Sequence, residues 1–215
     1  MLSSASPQDD ARAGPAAPLA AVVLAGGRGL RLGGGDKALR QLAGRTMLDH
    51  VLGRVAAQVD RVALNANGDP ARFAAWGLPV LADPVPDHPG PLAGVLAGLR
   101  WARAQGADDV LIVPADSPFL PPDLAARLRA GRGDAAVACA SSGGRLHPVV
   151  GLWRAALADV VAARLAAGER KVELFLRHAG LAEVAFGSGA DGGDPFANVN
   201  TPDDLAAAER RLAGR

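Results

Sequence analysis

Residues 20–37 have the sequence AAVVLAGGRGLRLGGGDK. The first four are small or branched apolar residues, which is typical of a buried β-strand. The fourteen that follow contain six glycines, two arginines and one lysine. Glycine lets the backbone approach a ligand closely and turn its N–H groups toward it, and basic side chains neutralise negative charge. The stretch therefore predicts a strand that ends in a polyphosphate-binding loop.

Two common glycine-rich motifs fit this loop poorly. A P-loop ends in Gly-Lys followed by Ser or Thr, whereas Lys37 follows Asp36 and precedes Ala38. A dinucleotide-binding match can be placed on Gly33, Gly35 and Ala38, but the strand ends several residues earlier. The loop is therefore another class of nucleotide site, or a glycine turn with solvated arginines.

Apolar runs alternate with helical patterns along the first part of the chain. They predict strands at 20–26, 61–67, 79–83 and 108–116, and helices at 46–58, 69–76, 91–105 and 121–130. Alternation of strand and helix is typical of a parallel sheet covered on both faces. We therefore predict an α/β fold with a mostly parallel sheet.

The pattern changes after residue 131. The segments DAAVACA (134–140) and HPVVGLW (147–153) indicate two strands joined by a glycine-rich turn, which adds an antiparallel element to the sheet. Two further helices are expected at 154–167 and 171–179, with a strand at 181–186. A last helix is expected to begin at Thr201, because a Thr cap, a proline and an acidic residue three positions on form a good helix start.

Composition and charge exclude several classes of protein. The chain has 23 basic and 22 acidic side chains, so its net charge of +1 creates no overall field toward nucleic acid or anionic membranes. The single Cys139 excludes a disulfide framework, and the four histidines lack the spacing of zinc ligands. Any anion site must therefore be local.

The two ends of the domain are predicted from composition. Residues 1–18 are rich in Ser, Pro, Asp and Ala, which predicts a disordered tail, and residues 19–215 form one domain. No signal peptide is recognisable, and no segment approaches the ~20 apolar residues that a membrane span requires. We expect a cytoplasmic protein without nucleic-acid or membrane partners.

Polar residues follow each of the first four predicted strands. Ligands of open α/β sheets bind beyond the carboxyl ends of the strands. Those positions hold Gly26 and Gly27, the segment 65–67, Asp83 and Asp116. We expect them to meet at one edge of the sheet.

The segment from Leu24 to Lys37 resembles the opening signature of sugar-nucleotide pyrophosphorylases and related nucleotidyltransferases. Six further segments resemble the molybdenum cofactor guanylyltransferase (MobA) family: NAN (65–67), DHPGPLAGVLAGL (87–99), PADSPFLPPDLAARL (114–128), RLHPVVGLW (145–153), GERKV (168–172) and FANVNTPDDL (196–205). The resemblance runs in order from about residue 20 to the C-terminus. It implies a single-domain Rossmann-like nucleotidyltransferase fold that transfers GMP from GTP to molybdopterin and releases pyrophosphate.

The same resemblance implies the site residues. Leu24, Ala25, Gly26 and Gly27 would lie against the guanine nucleotide, Asn65 and Asp83 would contact it further, Lys37 and Arg31 would hold the β- and γ-phosphates, and Asp116 would bind both nucleotide and Mg²⁺. Mg²⁺ favours carboxylate and phosphate oxygens, which agrees with this role for Asp116. The acceptor phosphate is already an anion at neutral pH, so we expect no general base.

Molybdopterin needs a polar pocket of its own. The resemblance makes six residues and one loop plausible there: Arg145, His147, Arg170, Lys171, Asn198, Asn200 and the segment 87–91. Acceptor molybdoenzymes or their chaperones are possible further partners.

Two alternatives stay open at this point. A molybdopterin cytidylyltransferase shares the fold, but those enzymes tend to have Leu-Ala-Ala-Gly where this chain has Leu-Ala-Gly-Gly at 24–27. A catalytically silent carrier of pterin or nucleotide is the second. The presence of both Lys37 and Asp116 argues against it, because a carrier has no leaving pyrophosphate to stabilise.

Overall fold

The computed structural model describes residues 18–26, 35–85 and 90–214. The strands are β1 (Leu19–Leu24), β2 (Gln41–Leu42), β3 (Arg45–Thr46), β4 (Arg61–Asn65), β5 (Val80–Leu81), β6 (Asp109–Pro114), β7 (Val137–Ser142), β8 (Arg145–Arg154) and β9 (Leu181–Phe186). The α-helices are α1 (Met47–Val55), α2 (Pro91–Ala104), α3 (Leu124–Arg132), α4 (Ala158–Ala166), α5 (Val172–Leu176) and α6 (Pro202–Ala213). Short 3-10 helices lie at Lys37–Leu39, Ala56–Gln58, Pro70–Trp76 and Ala155–Leu157.

Seven of the described strands form one sheet in the order β5-β4-β1-β6-β8-β7-β9. Strand β8 runs antiparallel to both neighbours, and the other pairings are parallel. The turn between β7 and β8 consists of Gly143 and Gly144, with φ of 55° and 75°. A two-residue hairpin turn of type I′ needs positive φ at both positions, which glycine adopts without strain. The predicted parallel sheet with one antiparallel element is confirmed.

Helices cover both faces of the sheet because neighbouring residues of a strand point in opposite directions. On one face, Val23 of β1 lies in a core cluster with Val51 of α1 and Leu128 of α3. On the other face, Val22 lies in a second cluster with Leu99 of α2, and α4 and α5 also contribute to it. The predicted covering of both faces is confirmed.

Three local predictions differ from the structure. The segment predicted as a helix at 69–76 is a 3-10 helix, which Asp69 caps and which ends at Gly77 in the left-handed conformation with φ of 61°. The hairpin of β2 and β3 was not predicted; Ala43 and Gly44 form its turn, with φ of 50° and 78°. The four strands predicted at 20–26, 61–67, 79–83 and 108–116 each end two residues early, because only single backbone hydrogen bonds continue past the strand ends.

Helix α6 begins as predicted. The Thr201 hydroxyl accepts from the Asp204 backbone N–H at 3.2 Å, and the Asp204 carboxylate accepts from the backbone N–H groups of Thr201 and Asn200, both at 2.9 Å. This capping box fixes the backbone of Asn200 to the first turn of the helix. The backbone N–H of Asn200 is the largest influence on the Asp204 carboxyl, whose pKa lies below its ordinary value.

Three further points concern Cys139, the length of the helices and the N-terminal segment. Cys139 is buried within β7, and burial raises the pKa of its thiol to about 12, so it packs as a small uncharged side chain. None of the described helices has the length and apolar character needed to cross a membrane. The predicted tail, 1–18, lies outside the described residues except for Pro18, so the domain boundary stays a prediction.

Candidate active site

The strands β5, β4, β1 and β6 end together at one edge of the sheet, since they are parallel neighbours. Pairing continues for one residue past the strand ends. The Ala25 N–H donates to the Asn65 carbonyl at 2.8 Å, and the Ala115 N–H donates to the Leu24 carbonyl at 3.0 Å. This edge carries the described residues that were predicted to contact the nucleotide: Leu24, Ala25, Gly26, Asn65, Asp83 and Asp116.

Lys37 lies across this edge from the strand ends. Its ammonium forms an ion pair with Asp116 Oδ2 and also donates to Asn200 Oδ1. The two charged side chains are only 12% and 19% exposed, so water screens the pair weakly. A small pocket of about 50 Å³ lies beside them, lined by Leu24, Ala25, Lys37, Ala38, Pro114, Ala115 and Asp116. The structure thus brings together Lys37 and Asp116, two residues that the sequence analysis expected to bind the same nucleotide.

The segment before α6 also contacts Asp116. Asn198 Nδ2 donates to Asp116 Oδ1 at 3.2 Å, and the Val199 N–H donates to the Asp116 carbonyl at 2.9 Å. The Ser117 hydroxyl donates to Asn198 Oδ1 at 3.3 Å. Asn198 and Asn200 were predicted to face molybdopterin; in the structure their side chains contact Asp116 and Lys37.

A second carboxylate, Asp83, lies at the end of β5. Asn65 Nδ2 donates to Asp83 Oδ1 at 2.9 Å and to the Leu81 carbonyl at 3.0 Å, and Asn67 Nδ2 donates to Asp83 Oδ2 at 2.7 Å. Asn65 is 5% exposed, and a Cβ on Gly94 of α2 would lie 2.3 Å from its Oδ1. Both amide hydrogens of Asn65 are therefore used, and its side chain orients Asp83.

Arg72 joins the site although no sequence pattern pointed to it. Its Nε donates to the carboxylate of Asp36, next to Lys37, and its Nη2 donates to the Asn67 carbonyl at 2.6 Å. Arg72 lies in the segment 69–76, which was predicted as a helix. In the structure this segment is the 3-10 helix Pro70–Trp76, capped by Asp69, from which the Arg72 side chain reaches Asp36.

The chain is similar to known proteins over most of its length. Residues 21–183 match the family described as MobA-like NTP transferase domain. A molybdenum cofactor guanylyltransferase of Rhodopseudomonas palustris (strain BisB5) is 54% identical over 201 residues, which cover 91% of this chain and 94% of the relative. Another, from Acidiphilium cryptum (strain JF-5), is 54% identical over 198 residues, covering 92% and 95%.

The chain belongs to the molybdenum cofactor guanylyltransferase family. It is therefore a nucleotidyltransferase, and the family and enzyme class predicted from the sequence are confirmed. A solved structure, molybdopterin-guanine dinucleotide biosynthesis protein A from Archaeoglobus fulgidus, has a TM-score of 0.74 and covers 91% of this chain and 100% of its own. At 20% sequence identity this likeness supports the fold alone, and the predicted Rossmann-like nucleotidyltransferase fold is confirmed.

The residues predicted for molybdopterin differ in their surroundings. His147 is 8% exposed; its Nε2 lies 2.7 Å from the Ser142 hydroxyl, which donates to Asp194 at 2.8 Å. Burial lowers the pKa of His147, with Asp194 opposing that shift and Arg145 adding to it. Its ring also packs 4.8 Å from that of Phe196. His147 therefore ties the β7–β8 hairpin to the loop before α6.

The Arg170 side chain contacts the backbone of the segment just before it. Its Nη1 donates to the Leu165 carbonyl at 2.6 Å, and both Arg170 and Lys171, which precedes α5, are exposed. Gly90, with φ of 92°, lies against the Arg170 backbone, because a Cβ there would be 3.0 Å from the Arg170 carbonyl oxygen. The remaining predicted positions lie outside the described residues: Gly27, Arg31 and 87–89.

Proposed function

We propose that the protein transfers GMP from GTP to the terminal phosphate of molybdopterin, forming the guanine dinucleotide cofactor and releasing pyrophosphate. The observation that carries the proposal is the convergence of Lys37, Asp116 and Asn200 at the carboxyl ends of the parallel strands. Similarity over nine-tenths of the chain to enzymes named molybdenum cofactor guanylyltransferase supports the choice of substrates.

The phosphates of GTP are assigned to Lys37, with Arg31 as a second cation. Lys37 stands at the end of the glycine loop and close to the strand ends, so its ammonium can move from Asp116 to a phosphate oxygen by side-chain rotation alone. A positive charge on the β- and γ-phosphates stabilises the departing pyrophosphate. Transfer between phosphates then depends on positioning and charge stabilisation, and no covalent enzyme intermediate is needed.

Mg²⁺ is proposed as the cofactor, with Asp116 as its protein ligand. Asp116 Oδ2 and Asn200 Oδ1 both contact the Lys37 ammonium, so two hard oxygen atoms already surround one cation at this place. No group of three or more His, Cys, Asp or Glu suited to a metal exists among the described residues. Phosphate and water oxygens would complete the coordination, as is common for Mg²⁺. When bound, the ion would draw charge from the α-phosphate.

The guanine base is assigned to the Asp83 side of the edge. The backbone of residues 24–26 lies at this edge. The Asp83 carboxylate oxygens are already oriented by two asparagine amides. Among the described residues, the nearest atom to a Cβ at Gly26 would be Ala66 Cα at 4.0 Å, so these residues leave room for a side chain there. The missing methyl group leaves room for a purine, which supports GTP over CTP.

The test is pyrophosphate release from the purified protein with molybdopterin and Mg²⁺, with GTP, CTP or ATP supplied in separate reactions. Release with GTP alone, dependent on both metal and pterin, supports the proposal. Release with CTP identifies a cytidylyltransferase, and pterin binding without release from any nucleotide identifies a carrier. Handover of the product to acceptor molybdoenzymes or their chaperones, and a cytoplasmic location, stay predictions.

A further inference from the structure

Arg72 uses all three nitrogens of its guanidinium on different acceptors. Nε donates to the Asp36 carboxylate, Nη1 donates to the Asp69 carbonyl at 2.5 Å, and Nη2 donates to the Asn67 carbonyl at 2.6 Å. The guanidinium also lies over the Phe73 ring, 4.7 Å from its centre. A planar fork of donors suits several acceptors at once, which a lysine ammonium could not match.

The acceptors of Arg72 belong to two different parts of the site. Asp36 is directly followed by Lys37, so it marks the end of the glycine loop. Asn67 holds Asp83: its Nδ2 donates to Asp83 Oδ2 at 2.7 Å, and its Oδ1 accepts from the Asp83 N–H at 2.8 Å. One side chain thus joins the phosphate side of the site to the base side.

The Asp36 carboxylate pairs with Arg72 and does not cap a helix. Asp36 stands at the N-cap of the 3-10 helix Lys37–Leu39, yet its side chain makes no capping hydrogen bond there. It forms an ion pair with Arg72 instead, and the two side chains are 16% and 27% exposed. Gly68, with φ of 84°, passes close to the guanidinium; a Cβ there would lie 3.3 Å from Nη1. The backbone of the turn after β4 therefore lies close to the Arg72 guanidinium.

We infer that Arg72 is a positioning residue for the nucleotide, acting through Asp36 on Lys37 and through Asn67 on Asp83. This inference rests on the proposed function, because it assumes that a nucleoside triphosphate spans these two carboxylates. Arg72 sets the distance between phosphate and base subsites before the ligand arrives, so less ordering is needed on binding. All three of its nitrogens already donate to protein acceptors, so we assign it no contact with the reacting phosphate or the acceptor.

The experiment measures GTP binding by calorimetry with Mg²⁺ and without molybdopterin, so that no turnover occurs. Arg72→Ala should weaken GTP binding about tenfold or more, because hydrogen bonds to charged groups are lost. Arg72→Lys should fall between this variant and the wild type. Steady-state assays should show a raised KM for GTP, a much smaller change in kcat and an unchanged KM for molybdopterin.

A double-mutant cycle tests the route through Asp36. Asp36→Ala should weaken GTP binding as well, and the double variant should lose little more than Arg72→Ala alone. Arg61→Ala is the matched control, because Arg61 contacts Gln105 at the opposite end of β4. Unchanged GTP affinity in Arg72→Lys and Arg72→Ala, or fully additive losses in the double variant, would overturn the inference. Failure of the wild type to bind GTP would overturn the proposed function itself.

Discussion

The two carboxylates of the sheet edge have opposite surroundings. Asp116 faces the Lys37 ammonium on one oxygen and the Asn198 amide on the other. Asp83 has an asparagine amide on each oxygen and no cation among its hydrogen-bond partners in the described part of the chain. A carboxylate paired with a movable cation can exchange that cation, whereas one fixed by neutral amides can only accept further hydrogen bonds. The difference supports the proposal that Asp116 serves the phosphates and the metal and that Asp83 serves the base.

The largest expected effect belongs to Asp116. Asp116→Ala should abolish turnover, at least about 10³-fold, because several kcal/mol of charge stabilisation would be lost with the metal ligand. The measurement is pyrophosphate release at saturating GTP. Asp123→Ala is the matched control, since Asp123 precedes α3 without a side-chain capping bond. A near-normal rate for Asp116→Ala would exclude it as the metal ligand.

Lys37 should have the next largest effect. Lys37→Met should weaken GTP binding and slow transfer by about 10²-fold, because the phosphates lose a fixed positive charge. In the absence of nucleotide the same variant should bind Mn²⁺ more tightly than the wild type, since the ammonium no longer occupies Asp116 Oδ2. Mn²⁺ binding can be followed by electron paramagnetic resonance. Equal Mn²⁺ affinity in both proteins would show that Lys37 does not compete with the metal.

A smaller effect is expected on the base side. Gly26→Ala should shift the ratio of kcat/KM for GTP and CTP toward CTP by about tenfold, as one methyl group in a binding pocket does. Folding should be unaffected, because a Cβ there is 4.0 Å from its nearest neighbour. Gly53→Ala in α1, where a Cβ would also have nearly 4 Å of space, is the control. An unchanged ratio would remove Gly26 from base selection.

The smallest expected effect comes from the start of α6, because the segment before this helix contacts only the Asp116 side of the site. Thr201→Ala should cost about 1 kcal/mol of unfolding free energy and should raise KM for GTP slightly. Thr46→Ala removes the equivalent capping box of α1 and should cost similar stability without changing KM. Thermal unfolding and steady-state kinetics on both variants make the comparison. Equal KM values for the two variants would show that the cap does not influence the site.

The same cap predicts a pH dependence of stability. The Asn200 N–H leads the interactions that lower the pKa of Asp204, and Lys37 contributes a further, smaller lowering. A lowered pKa in the folded state stabilises the fold above the ordinary value of about 3.9, and this contribution is lost as the pH falls through the lowered value. The unfolding free energy of the wild type should therefore exceed that of Asp204→Asn at neutral pH and converge with it in acid.

The fold followed from local patterns with few errors. Apolar runs and helical periods gave the seven strands of the main sheet and the main helices, because burial on both faces of a parallel sheet leaves a strong signal in the sequence. The hairpin of β2 and β3 was missed, because each strand has two residues and its turn contains Ala43 as well as Gly44. The 3-10 helix at Pro70–Trp76 was taken for an α-helix, because Asp-Pro starts either type.

The site was predictable only in part. Residues that follow strands could be placed at one edge from the sequence, so Asp83 and Asp116 were found together with Lys37 of the family motif. Asn200 lies 163 positions from Lys37, and no local period links them. Arg72 likewise reaches Asp36, 36 positions earlier, through a side-chain geometry that composition does not encode.

Sequence alone was sufficient for the succession of the seven main-sheet strands and the main helices, for the family, and for placing polar residues at the strand ends, because each depends on local periodicity or on a contiguous motif. The partners of those residues were settled by folding. Folding pairs Lys37 with Asp116, lets Asn198 and Asn200 hold them, and makes Arg72 the link between Asp36 and Asn67. Contacts of this kind join segments that are distant in the chain, so they exist only once the sheet has brought its strand ends to one edge.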